Sequence, residues 1–197
     1  MEHFDQAYWD TRYANNETAW DIGQPSTPLK TYIDQLSNKN CRILIPGGGN
    51  SYEAAYLLLL GFTNVTIVDI SSIICQKLQH DYANYLQTGV LKVLNEDFFM
   101  HTGSYDLIVE QTFFCALDPV LREKYATHMH KLLKPGGKLV GVLFNCIFEK
   151  EGPPFGGSDK EYFEYFKTNF EIKIMNQCFN SIAPRSGNEL FILLVAK

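Results

Sequence analysis

Basic residues are the minority in this chain: 17 Lys and Arg stand against 22 Asp and Glu, a net charge of −5. Polyanions such as DNA and RNA are held through a surplus of positive charge, so nucleic acid is not an expected partner. Long apolar runs are missing too. The longest, Ala54 to Leu60 and Leu190 to Ala196, are far too short to span a bilayer, so no membrane partner is expected. No basic segment leads into an apolar core at the amino end, and the expected location is the cytoplasm. The five cysteines, Cys41, Cys75, Cys115, Cys146 and Cys178, include no C-x-x-C pair. That pattern predicts reduced thiols rather than a disulfide framework, with Cys41, Cys115 and Cys146 acting as small hydrophobes in or beside apolar runs. His128 and His130 sit two apart, a spacing that points to different faces of a helix. No further ligands stand nearby, so no metal site is expected. Repeats, low-complexity tracts and Ser/Gly linkers are absent as well, and residues 1–197 are expected to form one domain.

What is present is ordinary in apolar content, at 46%, and rich in aromatics, at 14%, with 14 Phe and 11 Tyr. A short β-rich run followed by a helical stretch recurs along the chain. Strands are predicted at Arg42–Pro46, Asn64–Asp69, Leu91–Asn95, Tyr105–Gln111, Lys138–Asn145, Phe170–Gln177 and Leu190–Ala196. Helices are predicted from Tyr52 to Leu60, stopped by Gly61, and from Ser71 to a point before Gly89. Others are predicted from Asp118-Pro119 to Leu133, ended by Pro135-Gly136-Gly137, and from Asp159 to Thr168. Strands separated by helices imply an α/β fold, a doubly wound and mostly parallel sheet covered on both faces. The last two strands follow each other without a helix and are expected to pair as an antiparallel terminal hairpin. Residues 1–36 are read as an amino-terminal lid and helix, and 41–197 as the Rossmann-like core. Such a sheet binds its ligand beyond the carboxyl ends of its strands.

The loops at those ends carry the chemistry. The first is Pro46-Gly47-Gly48-Gly49-Asn50-Ser51-Tyr52-Glu53, whose glycines let the backbone turn sharply and approach a ligand. The second strand ends in Asp69, 22 positions after Gly47, where an acid can accept both hydroxyls of a ribose. Together they point to an adenosine-containing ligand; a tight turn with a helix-capping acid is the plainer alternative. A dinucleotide would call for G-x-G-x-x-G, but Tyr52 fills the third glycine position. A nucleoside without a pyrophosphate therefore fits better than NAD. After the third strand, Asp97 can accept from an adenine amino group and Phe98 can cover the ring, or the pair is a loop acid beside a core aromatic. The fourth strand runs out into Glu110-Gln111-Thr112-Phe113-Phe114-Cys115, where Glu110 is either a reacting-centre acid or a cap.

The order of these features, with Tyr105-Asp-Leu-Ile on the fourth strand and Leu132-Leu-Lys-Pro-Gly-Gly before the fifth, resembles class I S-adenosylmethionine-dependent methyltransferases. The flanks narrow it. Tyr8-Trp9-Asp10-x-Arg12-Tyr13, Ala19-Trp20-Asp21-Ile22-Gly23-Gln24, Phe113-Phe114-Cys115-Ala116-Leu117 and Glu151-Gly152-Pro153-Pro154-Phe155 look like the thiopurine S-methyltransferase family, nearest its plant-type thiol and halide methyltransferases. The resemblance runs from Phe4 through Leu190. It implies a seven-stranded sheet, S-adenosyl-L-methionine as cofactor with S-adenosyl-L-homocysteine as product, a small-molecule acceptor, and a monomer. It also implies that Trp9, Tyr13, Trp20, Gly47, Gly48, Gly49, Asp69, Ile70, Asp97, Phe98 and Glu110 hold the cofactor. Glu110, Arg185 and Phe155 are implied at the acceptor. The sequence departs from the family where Tyr13 replaces a frequent second Trp, where Gly48 stands in place of Cys or another residue, and at Glu110-Gln111-Thr112.

A sulfonium ligand favours π-faces and carboxylates over basic residues. Trp9 and Trp20 are read as lid residues. Phe4, Tyr8 and Tyr13 follow helical spacing and are either lid or core. Arg185 is a cation that could favour a thiolate, or a solvated residue of the turn Pro184–Gly187. No catalytic triad or carboxylate pair is found, which suits methyl transfer to a soft nucleophile driven by orientation and desolvation. Methylation of oxygen or nitrogen, cofactor binding without catalysis, and nicotinamide oxidoreduction remain as alternative readings.

Overall fold

The computed structural model describes residues 4–150 and 152–197. Seven strands form one sheet: β1 (Ile43–Pro46), β2 (Val65–Asp69), β3 (Leu91–Asn95), β4 (Tyr105–Gln111), β5 (Leu133–Phe144), β6 (Phe170–Gln177) and β7 (Glu189–Ala196). Their spatial order is β3-β2-β1-β4-β5-β7-β6. The first five run parallel, and β7 lies antiparallel between β5 and β6. The chain thus winds outward from β1 in both directions, and the reversal between β1 and β4 opens a crevice at the carboxyl ends.

The helices are α1 (Gln6–Ala14), α2 (Thr27–Ile33), α3 (Tyr52–Leu59), α4 (Ser72–Asp81), α5 (Ala83–Gln87), α6 (Arg122–Leu132) and α7 (Asp159–Phe166). Strand alternation sorts the core into two layers. Ile43, Ile45, Ile67 and Val109 face Leu29 and Ile33 of α2, Leu57 of α3 and Leu78 of α4. Leu44, Val68 and Ile108 face Tyr125 and Met129 of α6 and Phe166 of α7. Much of the aromatic surplus lies in this second layer, where Phe98, Phe114, Tyr125, Tyr162, Phe166 and Phe170 are buried.

Beyond shifts of one or two residues at several element ends, three features differ from expectation. The helix after Ser71 breaks at Tyr82, which leaves helical geometry at φ −111° and packs its ring against the first core layer. The helix expected from Asp118 begins instead as a 3₁₀ turn, Pro119–Leu121, capped by the Asp118 carboxylate. It ends at Leu132 because Leu133 already pairs with Tyr105, so β5 starts before the Pro135-Gly136-Gly137 irregularity rather than after it. Among the described residues no helix is long and apolar enough to cross a membrane.

Candidate active site

A cleft of about 1030 Å³ opens over the carboxyl ends of β1 to β5. Its floor is the loop between β1 and α3. Gly47 and Gly49 hold φ of +55° and +51°, which glycine adopts without strain. The Phe113 ring lies so close over Gly47 that a Cβ there would overlap it. Gly48 is glycine for a different reason: a Cβ would stand 2.6 Å from Ile67 Cγ2. Ile67 therefore occupies the space that a Cys at this position would need. Gly48→Cys is expected to cost about 1–3 kcal/mol through overpacking. That cost should largely vanish in an Ile67→Ala background. Urea unfolding of the four proteins of this cycle measures it, and an equal cost in both backgrounds would refute the contact.

Asp69 ends β2 with its side chain 7% exposed. One carboxylate oxygen accepts from Gly49 N–H at 2.9 Å and the other from Ser71 N–H at 2.9 Å. Burial pushes this carboxyl above the usual aspartate range, against the pull of those donors. After β3, Asp97 caps the turn Phe98–Met100 by accepting from Phe99 N–H at 2.8 Å. Phe98 is buried edge-on to Phe99, Phe113 and His128. Next to Asp97, Glu96 also lines the cleft and meets the buried His101 Nδ1 at 2.5 Å, whose Nε2 meets Tyr105 Oη at 2.8 Å. At the end of β4, Thr112 sits at φ +57°, a strained conformation for a β-branched residue and one typical of functional loops.

The amino-terminal segment forms one wall. Phe4, Tyr8, Trp9, Trp20 and Tyr13 run as a chain of edge-on rings with centroids 5.1 to 5.8 Å apart. All five line the cleft. Helix α1 fully buries none of its residues, and Tyr13 alone reaches the core. The helical spacing therefore builds a cleft wall rather than a core helix. Two polar anchors fix it. Asp10 accepts from Ser71 Oγ at 2.6 Å, Ser72 Oγ at 2.9 Å and Ile73 N–H at 3.3 Å, joining α1 to the start of α4. Asp21 accepts from Asn50 Nδ2 and, at 3.2 Å, from the Tyr52 hydroxyl, joining the wall to the glycine loop. The Tyr13 phenol is held well above its ordinary pKa by burial and by the Asp69 charge.

Arg185 is not a solvated turn residue. Its side chain is 11% exposed. Its guanidinium donates to Trp20 O at 2.7 Å and to Glu189 Oε1 at 3.4 Å, and lies 5.4 Å from the Phe144 ring centroid. Trp9, Tyr13, Trp20, Gly47, Gly48, Gly49, Asp69, Ile70, Asp97, Phe98 and Arg185 thus share one cleft. Two expected members do not. Glu110 is 0% exposed and lies beneath the wall, accepting from Phe113 N–H, Phe114 N–H and Tyr125 Oη. Phe155 stands behind Phe4, with ring centroids 5.6 Å apart, and its N–H donates to Cys115 O. Glu151, part of the expected acceptor string, lies outside the described residues. Asp21, Glu53 and Thr112, which line the cleft, and Asp10, which anchors its wall, escape the sequence reading. All four lie inside strings that sequence alone picks out, but nothing in the pattern gives their partners or the strain at Thr112.

The fold and the cleft together define a class I methyltransferase. The chain belongs to the thiopurine S-methyltransferase family, whose sequence model, Thiopurine S-methyltransferase, matches residues 4–189. It is an S-adenosylmethionine-dependent methyltransferase. It is 30% identical over 184 residues to the Arabidopsis thaliana protein named Probable thiol methyltransferase 2, covering 92% of this chain and 81% of the relative. It is 28% identical over 192 residues to Thiocyanate methyltransferase 1 of Brassica oleracea, covering 95% and 84%. Among solved structures, the Burkholderia thailandensis 1,6-didemethyltoxoflavin-N1-methyltransferase with bound S-adenosylhomocysteine superposes with TM-score 0.75 at 16% identity, covering 98% of this chain and 87% of that one. At that identity the likeness concerns the fold.

Proposed function

We propose that this enzyme methylates a small soft nucleophile, a thiol first and, by the same chemistry, a halide ion or a thiopurine-like sulfur. The observation that carries this reading is a cleft walled by aromatic rings in which the most deeply buried cation, Arg185, is tied to the aromatic wall through Trp20 O. The names of the plant relatives point the same way.

The cofactor fits the residues present. Among the described residues, Ser51 Oγ and Asn50 Oδ1 on the glycine loop are buried without a hydrogen-bond partner, and Ser51 itself is held at φ +51°. Unpaired buried polar atoms on a cleft floor suit a polar ligand. Asp69 keeps lone pairs beyond its two backbone donors to accept ribose hydroxyls. Asp97 and Phe98 would bracket the adenine, and Trp9, Tyr13 and Trp20 would present π-faces to the sulfonium. When bound, S-adenosylmethionine supplies an electrophilic methyl group on a cationic sulfur. Rings and glycine loop then orient the partners, and the wall formed by α1 and the following loop excludes water.

Calorimetry with S-adenosylhomocysteine followed by a panel of hydrosulfide, alkyl thiol, aryl thiol and iodide tests this reading. Saturable heat and methylated sulfur or methyl iodide are expected. Turnover confined to oxygen or nitrogen acceptors would overturn it.

A further inference from the structure

Resting on the thiol acceptor proposed above, we infer that Glu53 is the base that takes the acceptor's proton, with Arg185 on the same cleft to hold the thiolate. A free thiol is mostly protonated at neutral pH, and only the thiolate is a good nucleophile. Some group of the cleft must therefore accept that proton or the enzyme must wait for the scarce anion.

Most carboxylates on the cleft wall are already committed. Asp21 holds Asn50 and Tyr52, Asp69 holds Gly49 and Ser71 N–H, Glu96 holds His101, and Asp118 caps Val120 N–H. Glu53 differs. It stands in the first turn of α3, directly after the glycine loop, and is 6% exposed while lining the cleft. Among the described residues, only its Oε1 is engaged across the fold, by Ser26 N–H at 2.8 Å. That bond leaves Oε2 to meet a ligand and fixes the carboxylate relative to the loop that carries the donor. Burial pushes this carboxyl above the usual glutamate range, while Ser26 N–H and the Arg185 charge pull it back. Arg185, presented by the turn Ala183–Arg185, lines the same cleft and attracts the Glu53 carboxylate, while it also pairs with Glu189 of β7 at 3.4 Å. A buried carboxylate that opens onto a cleft shared with a cation is suited to accept a thiol proton and leave the sulfur anion paired.

The step balances. The thiol proton passes to Glu53, the freed lone pair forms the new sulfur–carbon bond, and the electron pair of the broken bond stays with the donor's sulfur. Glu53 then returns the proton to water. Iodide has no proton to lose and needs no base, so it separates the two roles.

The test measures kcat/KM against pH for an alkyl thiol and for iodide, in the wild type and in Glu53→Gln. In the wild type the thiol curve should rise through the Glu53 titration and level off well below the thiol's own pKa, while iodide stays flat. Glu53→Gln should lower the thiol-to-iodide ratio of kcat/KM by roughly 10²-fold at neutral pH. Its thiol curve should keep climbing until the thiol itself ionises. Without turnover, the ultraviolet absorbance of thiolate should appear when the thiol binds the S-adenosylhomocysteine complex of the wild type, and not that of the variant. Parallel loss with both acceptors in Glu53→Gln would overturn the assignment. So would a wild-type thiol curve that climbs to the thiol's pKa, a measurement that decides the matter even if the variant does not fold. Absence of wild-type turnover with either acceptor would instead refute the proposed function.

Discussion

Replacing Asp69 by alanine is expected to weaken S-adenosylhomocysteine binding by about 3 kcal/mol, roughly 150-fold. Two effects add. The ligand loses the carboxylate placed to accept its ribose hydroxyls, and a hydrogen bond to a charged group is worth more than a neutral one. The protein loses the acceptor for Gly49 N–H, which helps hold the loop in its left-handed turn, and for Ser71 N–H at the start of α4. Asp69→Asn should lie between the two, because its amide nitrogen must face one of those backbone donors. The sign of the pH dependence follows from burial, which raises the Asp69 pKa. Affinity should be full above that raised pKa and decline as pH falls through it, sooner on acidification than an exposed aspartate would allow. Calorimetry of the three proteins decides the point, and affinity of Asp69→Ala within about twofold of the wild type would remove Asp69 from the ribose site.

The contrast between Glu53 and Glu110 shows how far the sequence can be read. Alternation along β1 and β4 separates the two core layers correctly, since Ile43 and Ile45 face one way and Leu44 and Ile108 the other. The same alternation puts Glu110 in step with Ile108, on the side of α6, so strand parity already argued against a free acid over the sheet. What parity cannot supply is the partner, because Tyr125 comes from a helix fifteen residues further on. Glu53 lies four residues before Leu57 on the buried stripe of α3, a spacing that marks it as inward-facing. That it opens onto a cleft rather than a core depends on where the segment from Trp20 to Ser26 packs, which no local pattern encodes. Phe155 fails for a related reason: the chain between β5 and α7 has no period to read, and its ring is placed by Phe4 from the amino end of the chain. Motifs whose neighbours are set by one strand and the next residues were legible. Positions fixed by distant segments were not.

Glu110→Ala is expected to destabilise the fold by about 4 kcal/mol, a large share of the total stability of an ordinary domain. Glu110 is fully buried, and a single oxygen, Oε1, accepts both Phe113 N–H at 2.9 Å and Phe114 N–H at 3.0 Å. Oε2 accepts from Tyr125 Oη at 2.5 Å. Alanine leaves three buried donors without an acceptor and a void next to Gly141, whose backbone lies tight against the Glu110 side chain. The loss should reach the active site, because the two backbone bonds hold the segment in which Thr112 is strained and Phe113 covers Gly47. Glu110→Gln makes the argument specific. Its amide oxygen can keep both backbone bonds while its amide nitrogen donates to the Tyr125 oxygen, so a cost of only about 1 kcal/mol is expected. Burial raises the Glu110 pKa, so its folded form binds a proton more tightly than its unfolded form. The proton-linked part of its contribution is therefore present below the ordinary glutamate pKa and is lost as pH rises through the folded value, whereas glutamine does not titrate. The stability gap between wild type and Glu110→Gln should narrow as pH is raised from acid toward neutrality. Urea unfolding at the two ends of that range tests it: equal losses for Ala and Gln, or a gap that widens with pH, would show that Glu110 acts as something other than a buried acceptor for this loop.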